Sequence, residues 1–224
     1  MNVEPYRPGE RRPIASRERK SSQLAAQWLA RRGVSPNAIS VWGMVCGLTA
    51  GFALAATSLK PEPQRWGWIL GAILVQLRLL ANMLDGMVAV ATARASPVGE
   101  LYNEVPDRVS DSAILIGVGC ALGGDVALGI AAACVAIFTA YARAIGKVAG
   151  APQEFCGPMA KQQRMFLVTL LAIYNGLTPA SWQPLWSGGH GLAAMVLIVI
   201  IAGGLLTAVR RLLRTGVALR KLRP

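Results

Sequence analysis

Apolar runs of near-membrane length alternate along the chain with short polar segments. The runs cover residues 38–59, a stretch that starts near 66, a stretch that starts before 107 and ends near 122, then 126–144, 165–177 and 192–209. The fifth is short but extends toward Pro158. Gly123-Gly124, Pro179 and Gly188-Gly189 fall between runs as breakers, and Ser35-Pro36-Asn37 starts the first. Runs of this length and polarity predict transmembrane helices. The expected fold is an all-α integral membrane protein with six transmembrane helices. Ahead of them, residues 21–33 place Leu24, Trp28 and Leu29 on one helical face before Arg31, Arg32 and Gly33. Two readings stay open for this stretch: an amphipathic helix lying in the membrane interface, or an ordinary packing helix. The expected organisation is a disordered cationic arm (1–20), the amphipathic helix (21–33), a six-helix membrane domain carrying the active site (34–210) and a basic C-terminal tail (211–224).

Polar residues interrupt the apolar pattern most densely between Asn82 and Asp111. Asn82 and Asp85 share one helical face, and Asn103, Asp107 and Asp111 stack along another. Ser96, Pro97 and Gly99 give a turn signal between the two. Two antiparallel helices joined at one membrane surface bring these carboxylates and amides into one small volume. Carboxylates that converge in low-dielectric surroundings repel unless a cation lies between them, and hard oxygen donors suit Mg²⁺ or Mn²⁺. The simpler reading is a helix pair with capping and hydrogen-bonding polar groups. Arg78 lies on the Asn82–Asp85 face inside the second run. A cation there meets a substrate phosphate or a site carboxylate, or it snorkels or bonds a neighbouring helix.

Charge then narrows the function class. The chain has 224 residues, 54% of them hydrophobic and 15% charged, with a net charge of +12. The cations flank apolar runs, so anionic lipid headgroups are the expected counter-charge rather than nucleic acid. With the N-terminus cytoplasmic, eight cations before residue 34 fall inside, and so do Arg94, Arg108, Arg143, Lys147, Lys161 and Arg164. Six more from Arg210 to Arg223 join them, and only Lys60 and Arg65 fall outside. This asymmetry predicts an even number of spans with both termini cytoplasmic, in a bacterial cytoplasmic membrane. Cys46, Cys120, Cys134 and Cys156 have no metal-ligand spacing and read as small buried hydrophobes. His190 is the one histidine, which leaves no material for a histidine-based triad or metal site. The polar N-terminus lacks an apolar core, so no cleavable signal peptide is expected.

At Asn82–Asp107 the sequence resembles the CDP-alcohol phosphotransferase family, whose pattern is Asp-x2-Asp-Gly-x2-Ala-Arg-x8-Gly-x3-Asp-x3-Asp. Asp85, Gly86, Ala89, Gly99 and Asp107 stand at the family's spacing. Asn82, Val90 and Asn103 replace the first Asp, the Arg and the third Asp. The resemblance implies an integral membrane enzyme of phospholipid synthesis that moves a phosphatidyl group from CDP-diacylglycerol to a polar alcohol and releases CMP. It further implies a divalent metal (Mg²⁺ or Mn²⁺) held by Asp85 and Asp107. Asn82 and Asn103 are weaker ligands, with Asp111 and Glu104 as possible supplements, and Asp107 is the base that activates the acceptor hydroxyl. Gly86, Ala89 and Gly99 clear space for the CDP-lipid, and a homodimer is expected. Arg143, Lys161 and Arg164, on the same side, are expected to bind the acceptor; the competing reading is anchoring to lipid headgroups. Asn82 and Asn103 also leave room for a non-catalytic lipid or nucleotide-lipid binding or transport protein on this fold, or for a CDP-lipid hydrolase.

Overall fold

The computed structural model describes residues 15–59, 64–92 and 98–222. The expected arm up to residue 14, the turn residues Ser96 and Pro97, and the cations Arg94, Lys60 and Arg223 lie outside them. Among the described residues seven α-helices follow one another: α1 (Lys20–Arg31), α2 (Pro36–Ala55), α3 (Gln64–Ala91), α4 (Gly99–Cys120), α5 (Val126–Val148), α6 (Lys161–Leu177) and α7 (Leu192–Leu222). No strand occurs among the described residues.

Local chemistry sets several boundaries. Ser35 caps α2 by accepting the Ala38 N–H at 3.2 Å, and Pro36 stands in the first turn, where its missing N–H costs nothing. Asp125 caps α5 through the Leu128 N–H at 2.8 Å. That hydrogen bond, helped by His190 at 3.0 Å, holds the Asp125 carboxyl below its ordinary range. Gly123, at φ 70°, turns the chain between α4 and α5, and its carbonyl accepts N–H bonds from Gly191 and Ala194 at the start of α7. These contacts tie together the end of the bundle remote from Asn82–Asp111.

Among the described residues, α2 with its short 3-10 extension, α3, α5 and α7 are long and apolar enough to cross a membrane. The two remaining helices from the expected set of six differ for separate reasons. The first half of α4 carries Glu104, Asp107 and Arg108, with Asp111 just past its middle, and α6 has 17 residues. At 1.5 Å per residue, α7 is about 46 Å long, against a hydrocarbon core of about 30 Å. It continues without a break through Arg210, Arg211, Arg214, Arg220 and Lys221, where the sequence suggested a separate tail.

The bundle's core is made of Leu54, Trp68, Val75, Ile114, Leu115, Met165, Val168, Leu197 and Ile200, with many alanines between them. Phe52, Trp66, Phe166, Ile198 and Leu213 point outward, as lipid-facing side chains do. A smaller cluster seats α1 on α3: Ala26 packs with Ala81, Leu84 and Val88, while Leu24 and Trp28 stay exposed.

Alpha2 lies very close to α4, and small residues make this possible. A Cβ on Gly51 would strike the Ala113 carbonyl, one on Gly117 would strike the Gly51 backbone, and one on Gly47 would lie 3.1 Å from the Ser110 Cα. Without a hydrophobic drive between helices in lipid, such close backbone contact is what joins them. Gly51→Val should therefore lower the thermal stability of the detergent-held protein by the equivalent of about 1–3 kcal/mol, the usual cost of overpacking. The lipid-facing control Phe52→Leu should leave the melting temperature unchanged. Equal melting curves for the two variants would contradict this packing.

Candidate active site

Alpha3 presents Arg78, Asn82 and Asp85 on one face, and α4 presents Asn103, Asp107 and Asp111 on the face opposite. The helix spacing read from sequence thus brings the two groups together. Asn82 Nδ2 donates to Asp107 Oδ1 at 3.1 Å and to Asn103 Oδ1 at 3.2 Å. Pro106 stands within α4 and has no N–H for the Tyr102 carbonyl, which interrupts the helical ladder beside Asn103 and Asp107.

Asp107 is the centre of the site. Its Oδ1 also accepts from Arg78 Nη2, and its Oδ2 accepts from Lys161 Nζ at 2.7 Å. Arg108 Nη2 lies 3.6 Å from the same Oδ2. Lys161 is the first residue of α6, and its Nζ also donates to Asn82 Oδ1 at 2.9 Å. Three helices therefore meet at this carboxylate. The Asp107 side chain remains 13% accessible and Lys161 16%.

Asp85 is more enclosed. Its Oδ2 accepts the Ser40 hydroxyl at 2.6 Å and its Oδ1 accepts the Gly86 N–H. Among the described residues no Lys or Arg forms an ion pair with it. A small cavity between α2, α3 and α4 is lined by Ser40, Arg78, Asn82, Asp85, Asp107 and Ser110, among others. Gly86 and Ala89 continue along α3 from Asp85, and Gly99 begins α4.

Asp111 lies one turn deeper than Asp107 and is held between two arginines. Arg164 Nη2 stands 3.3 Å from its Oδ2 and Arg78 Nη2 stands 3.6 Å from its Oδ1. Arg164 is 2% exposed, and its Nη1 also donates to the Met159 carbonyl at 3.0 Å and to Thr139 Oγ1 at 3.3 Å. The three cations grouped by sequence are thus in three places. Lys161 is at the centre, Arg164 is locked in the interior on Asp111, and Arg143 is at the rim on Glu104 Oε1 at 2.6 Å. Glu104 also takes Arg108 Nη2 at 3.1 Å, so it is paired with cations.

Sequence reasoning missed Ser40. The one available signal was that it is the only hydroxyl residue in the first two turns of an apolar helix. The pairing of Glu104 with Arg143, 39 residues away, has no local sequence signal.

The donor set is all hard oxygen: two carboxylates from Asp85 and Asp107, with amide oxygens from Asn82 and Asn103. This chemistry suits Mg²⁺ or Mn²⁺ and no softer metal. Among the described residues, no three His, Cys, Asp or Glu side chains gather as a metal cluster. Asp107 and the Asn82 oxygen already accept from Arg78 and Lys161, whereas Asp85 accepts from Ser40 and a backbone N–H, so the set fits a divalent ion with modest ligand charge, taken chiefly by Asp85.

Comparisons with known proteins place the chain in a family. The model of the CDP-alcohol phosphatidyltransferase family matches residues 33–210. The chain is 29% identical over 192 residues to a phosphatidylinositol phosphate synthase of Streptomyces avermitilis, covering 83% of this chain and 74% of that one. It is 26% identical over 151 residues to an archaetidylinositol phosphate synthase of Pyrococcus horikoshii, covering 66% and 74%. The crystal structure of Mycobacterium tuberculosis phosphatidylinositol phosphate synthase with CDP-diacylglycerol bound superposes with a TM-score of 0.66 at 20% identity, covering 88% of this chain and 94% of that one. A second structure of that synthase holds manganese and citrate, with a TM-score of 0.66 at 20% identity over 87% of this chain and 88% of that one. A family match over most of the chain, on the helices that carry Asp85 and Asp107, makes this integral membrane protein a member of the CDP-alcohol phosphatidyltransferase family.

Proposed function

We propose that the chain transfers a phosphatidyl group from CDP-diacylglycerol to a phosphorylated polyol of the inositol phosphate kind, releasing CMP. The observation that carries this reading is the convergence of α3, α4 and α6 on the Asp107 carboxylate, beside a second carboxylate at Asp85. The acceptor class follows the names of the relatives, which share a sugar-alcohol phosphate product across two lipid types.

Asp107 is the base. An ionised carboxylate offers about four lone-pair directions. Oδ1 uses two on Arg78 and Asn82, whereas Oδ2 takes one hydrogen bond, from Lys161. Oδ2 therefore has a lone pair for the acceptor hydroxyl and takes its proton. The freed oxygen attacks the lipid-side phosphorus, the bond to the CMP oxygen breaks, and CMP leaves with that electron pair. Arg78 and Lys161 orient Asp107, and Gly86, Ala89 and Gly99 admit the donor. Asp85 would hold a divalent ion as its principal carboxylate, with Asp107 and the Asn82 and Asn103 amides beside it, and the ion would supply charge neutralisation for the phosphates. Asp111 fixes Arg164 and Arg78 behind the site.

Six spans are proposed, α2 to α7, with both termini cytoplasmic and α1 in the interface. Alpha4 turns its charged first half toward α3 and α6 while its second half joins the apolar core, which supports counting it. A homodimer within a bacterial cytoplasmic membrane completes the proposal.

Arg143 stands at the rim with its guanidinium over Phe155 and on Glu104, in position to meet an acceptor phosphate. Loss of a charge-assisted contact costs about 1.5–3 kcal/mol, roughly ten- to a hundredfold. Arg143→Ala should raise the acceptor KM by that factor and leave the CDP-diacylglycerol KM within about twofold. The test of the acceptor is product analysis after incubation with CDP-diacylglycerol and a panel of free and phosphorylated alcohols. A phosphorylated-polyol product that depends on Arg143 supports the reading. Equal use of unphosphorylated alcohols would reassign the acceptor, and phosphatidic acid formed without any alcohol would make the protein a hydrolase.

A further inference from the structure

The two carboxylates of the site have opposite surroundings. Asp107 is paired with three cations that belong to the protein, Arg78, Lys161 and, at 3.6 Å, Arg108. Asp85 touches a hydroxyl and a backbone N–H. Lys161 Nζ bridges Asn82 Oδ1 at 2.9 Å and Asp107 Oδ2 at 2.7 Å, linking α3 to α4 from the head of α6. A neutral amide oxygen and one carboxylate oxygen, presented by two facing helices, are the donors that a hard cation takes. Here a side-chain ammonium takes them.

The neutral Asn82 makes this arrangement workable. An Asp at 82 would put a second carboxylate next to Asp107, and a single ammonium would leave net negative charge between two helices in a low-dielectric setting. With Asn82, the Lys161 ammonium and the Arg78 guanidinium already compensate Asp107, and the Arg108 guanidinium lies 3.6 Å away. The only carboxylate of the pair without a cation of its own is Asp85.

Resting on the phosphatidyl-transfer reading above, we propose that the Lys161 ammonium is a built-in cation of the transfer site. It occupies the position between Asn82 and Asp107 and contacts the donor pyrophosphate, so that each chain takes a single divalent ion, with Asp85 as its principal carboxylate. Lys161 is then a catalytic residue that stabilises the charge developing on the phosphates. An ammonium cannot be chelated or exchanged, so this half of the charge compensation is present at any metal concentration.

The test counts metal rather than turnover. Purified full-length protein in lipid nanodiscs, with CDP-diacylglycerol included, is titrated with Mn²⁺ and bound ion is measured by electron paramagnetic resonance. Wild type should bind one Mn²⁺ per chain. The Lys161→Met, Asn82→Asp double variant replaces the ammonium with a thioether and restores a carboxylate, and it should bind two. Lys161→Arg, which keeps the charge, should remain at one. Two Mn²⁺ per chain in wild type overturns the proposal even where the double variant does not fold. One Mn²⁺ in a folded double variant overturns it as well. A Lys161→Met single variant that changes only the acceptor KM, with the Mn²⁺ affinity of wild type, would place Lys161 on the acceptor instead and also overturn it. CMP release is recorded on the same samples. Wild type that binds two Mn²⁺ and releases CMP defeats this inference alone, whereas wild type that releases no CMP defeats the transfer reading and this inference with it.

Discussion

Asp107→Asn is expected to abolish transfer while the protein still inserts and folds. The amide keeps an oxygen that accepts from Arg78 or Lys161, so the contacts joining α3, α4 and α6 survive in part. It cannot take a proton from the acceptor hydroxyl. A positioned general base contributes about 10²–10⁴-fold, and the loss of CMP release should fall in that range. Size-exclusion behaviour and melting temperature, measured alongside, separate lost chemistry from lost structure. A variant that melts like wild type and releases CMP within about tenfold of its rate would remove Asp107 from the mechanism.

Arg164→Met should have the largest effect on stability. Arg164 and Asp111 are 2% and 3% exposed, and the arginine also holds the Met159 carbonyl and Thr139. Removing it leaves Asp111 buried with Arg78 alone, at 3.6 Å. Breaking a buried pair by deleting one partner costs about 3–5 kcal/mol, because an uncompensated charge remains. Arg164→Met with Asp111→Leu removes both charges and should recover most of the lost stability. Thermal unfolding of the detergent-held protein is the measurement. If Arg164→Met instead melts like wild type and only the acceptor KM rises, Arg164 meets the acceptor directly and its role behind Asp111 is wrong.

The helical register of the site was legible in the sequence because it depends on spacing alone. Asn82 and Asp85 on one face, with Asn103, Asp107 and Asp111 on another, need only a 3.6-residue period and an intervening turn to meet. The alternation of apolar runs and breakers likewise placed the helices, since lipid demands helical backbone wherever the chain crosses it. Apart from Arg78, for which a site carboxylate was one expected partner, side-chain partners across helices were not legible. Lys161 and Arg164 are three apart and look like one patch in sequence. On α6 they occupy the first and second turns, and their flexible side chains reach different carboxylates, so one is at the centre and the other is buried behind it. The choice is made by packing depth, which periodicity does not encode. Ser40 was missed for the same reason: its hydroxyl matters only because α2 crosses α3 at Asp85. The reach of α7 to Leu222 was obscured because its last turns trade apolar residues for arginines without any helix breaker.

The central claim is that a phosphatidyl group passes from a CDP-lipid to an alcohol at Asp107. It is tested most directly by following radiolabelled CDP-diacylglycerol through a single incubation with purified protein, Mg²⁺ and inositol phosphate, quantifying CMP and labelled lipid together. The account predicts one new acidic phospholipid formed mole for mole with CMP, only when the acceptor is present, and neither product with Asp107→Asn. CMP formed without acceptor, or CDP-diacylglycerol bound by folded wild type but left intact, would contradict it.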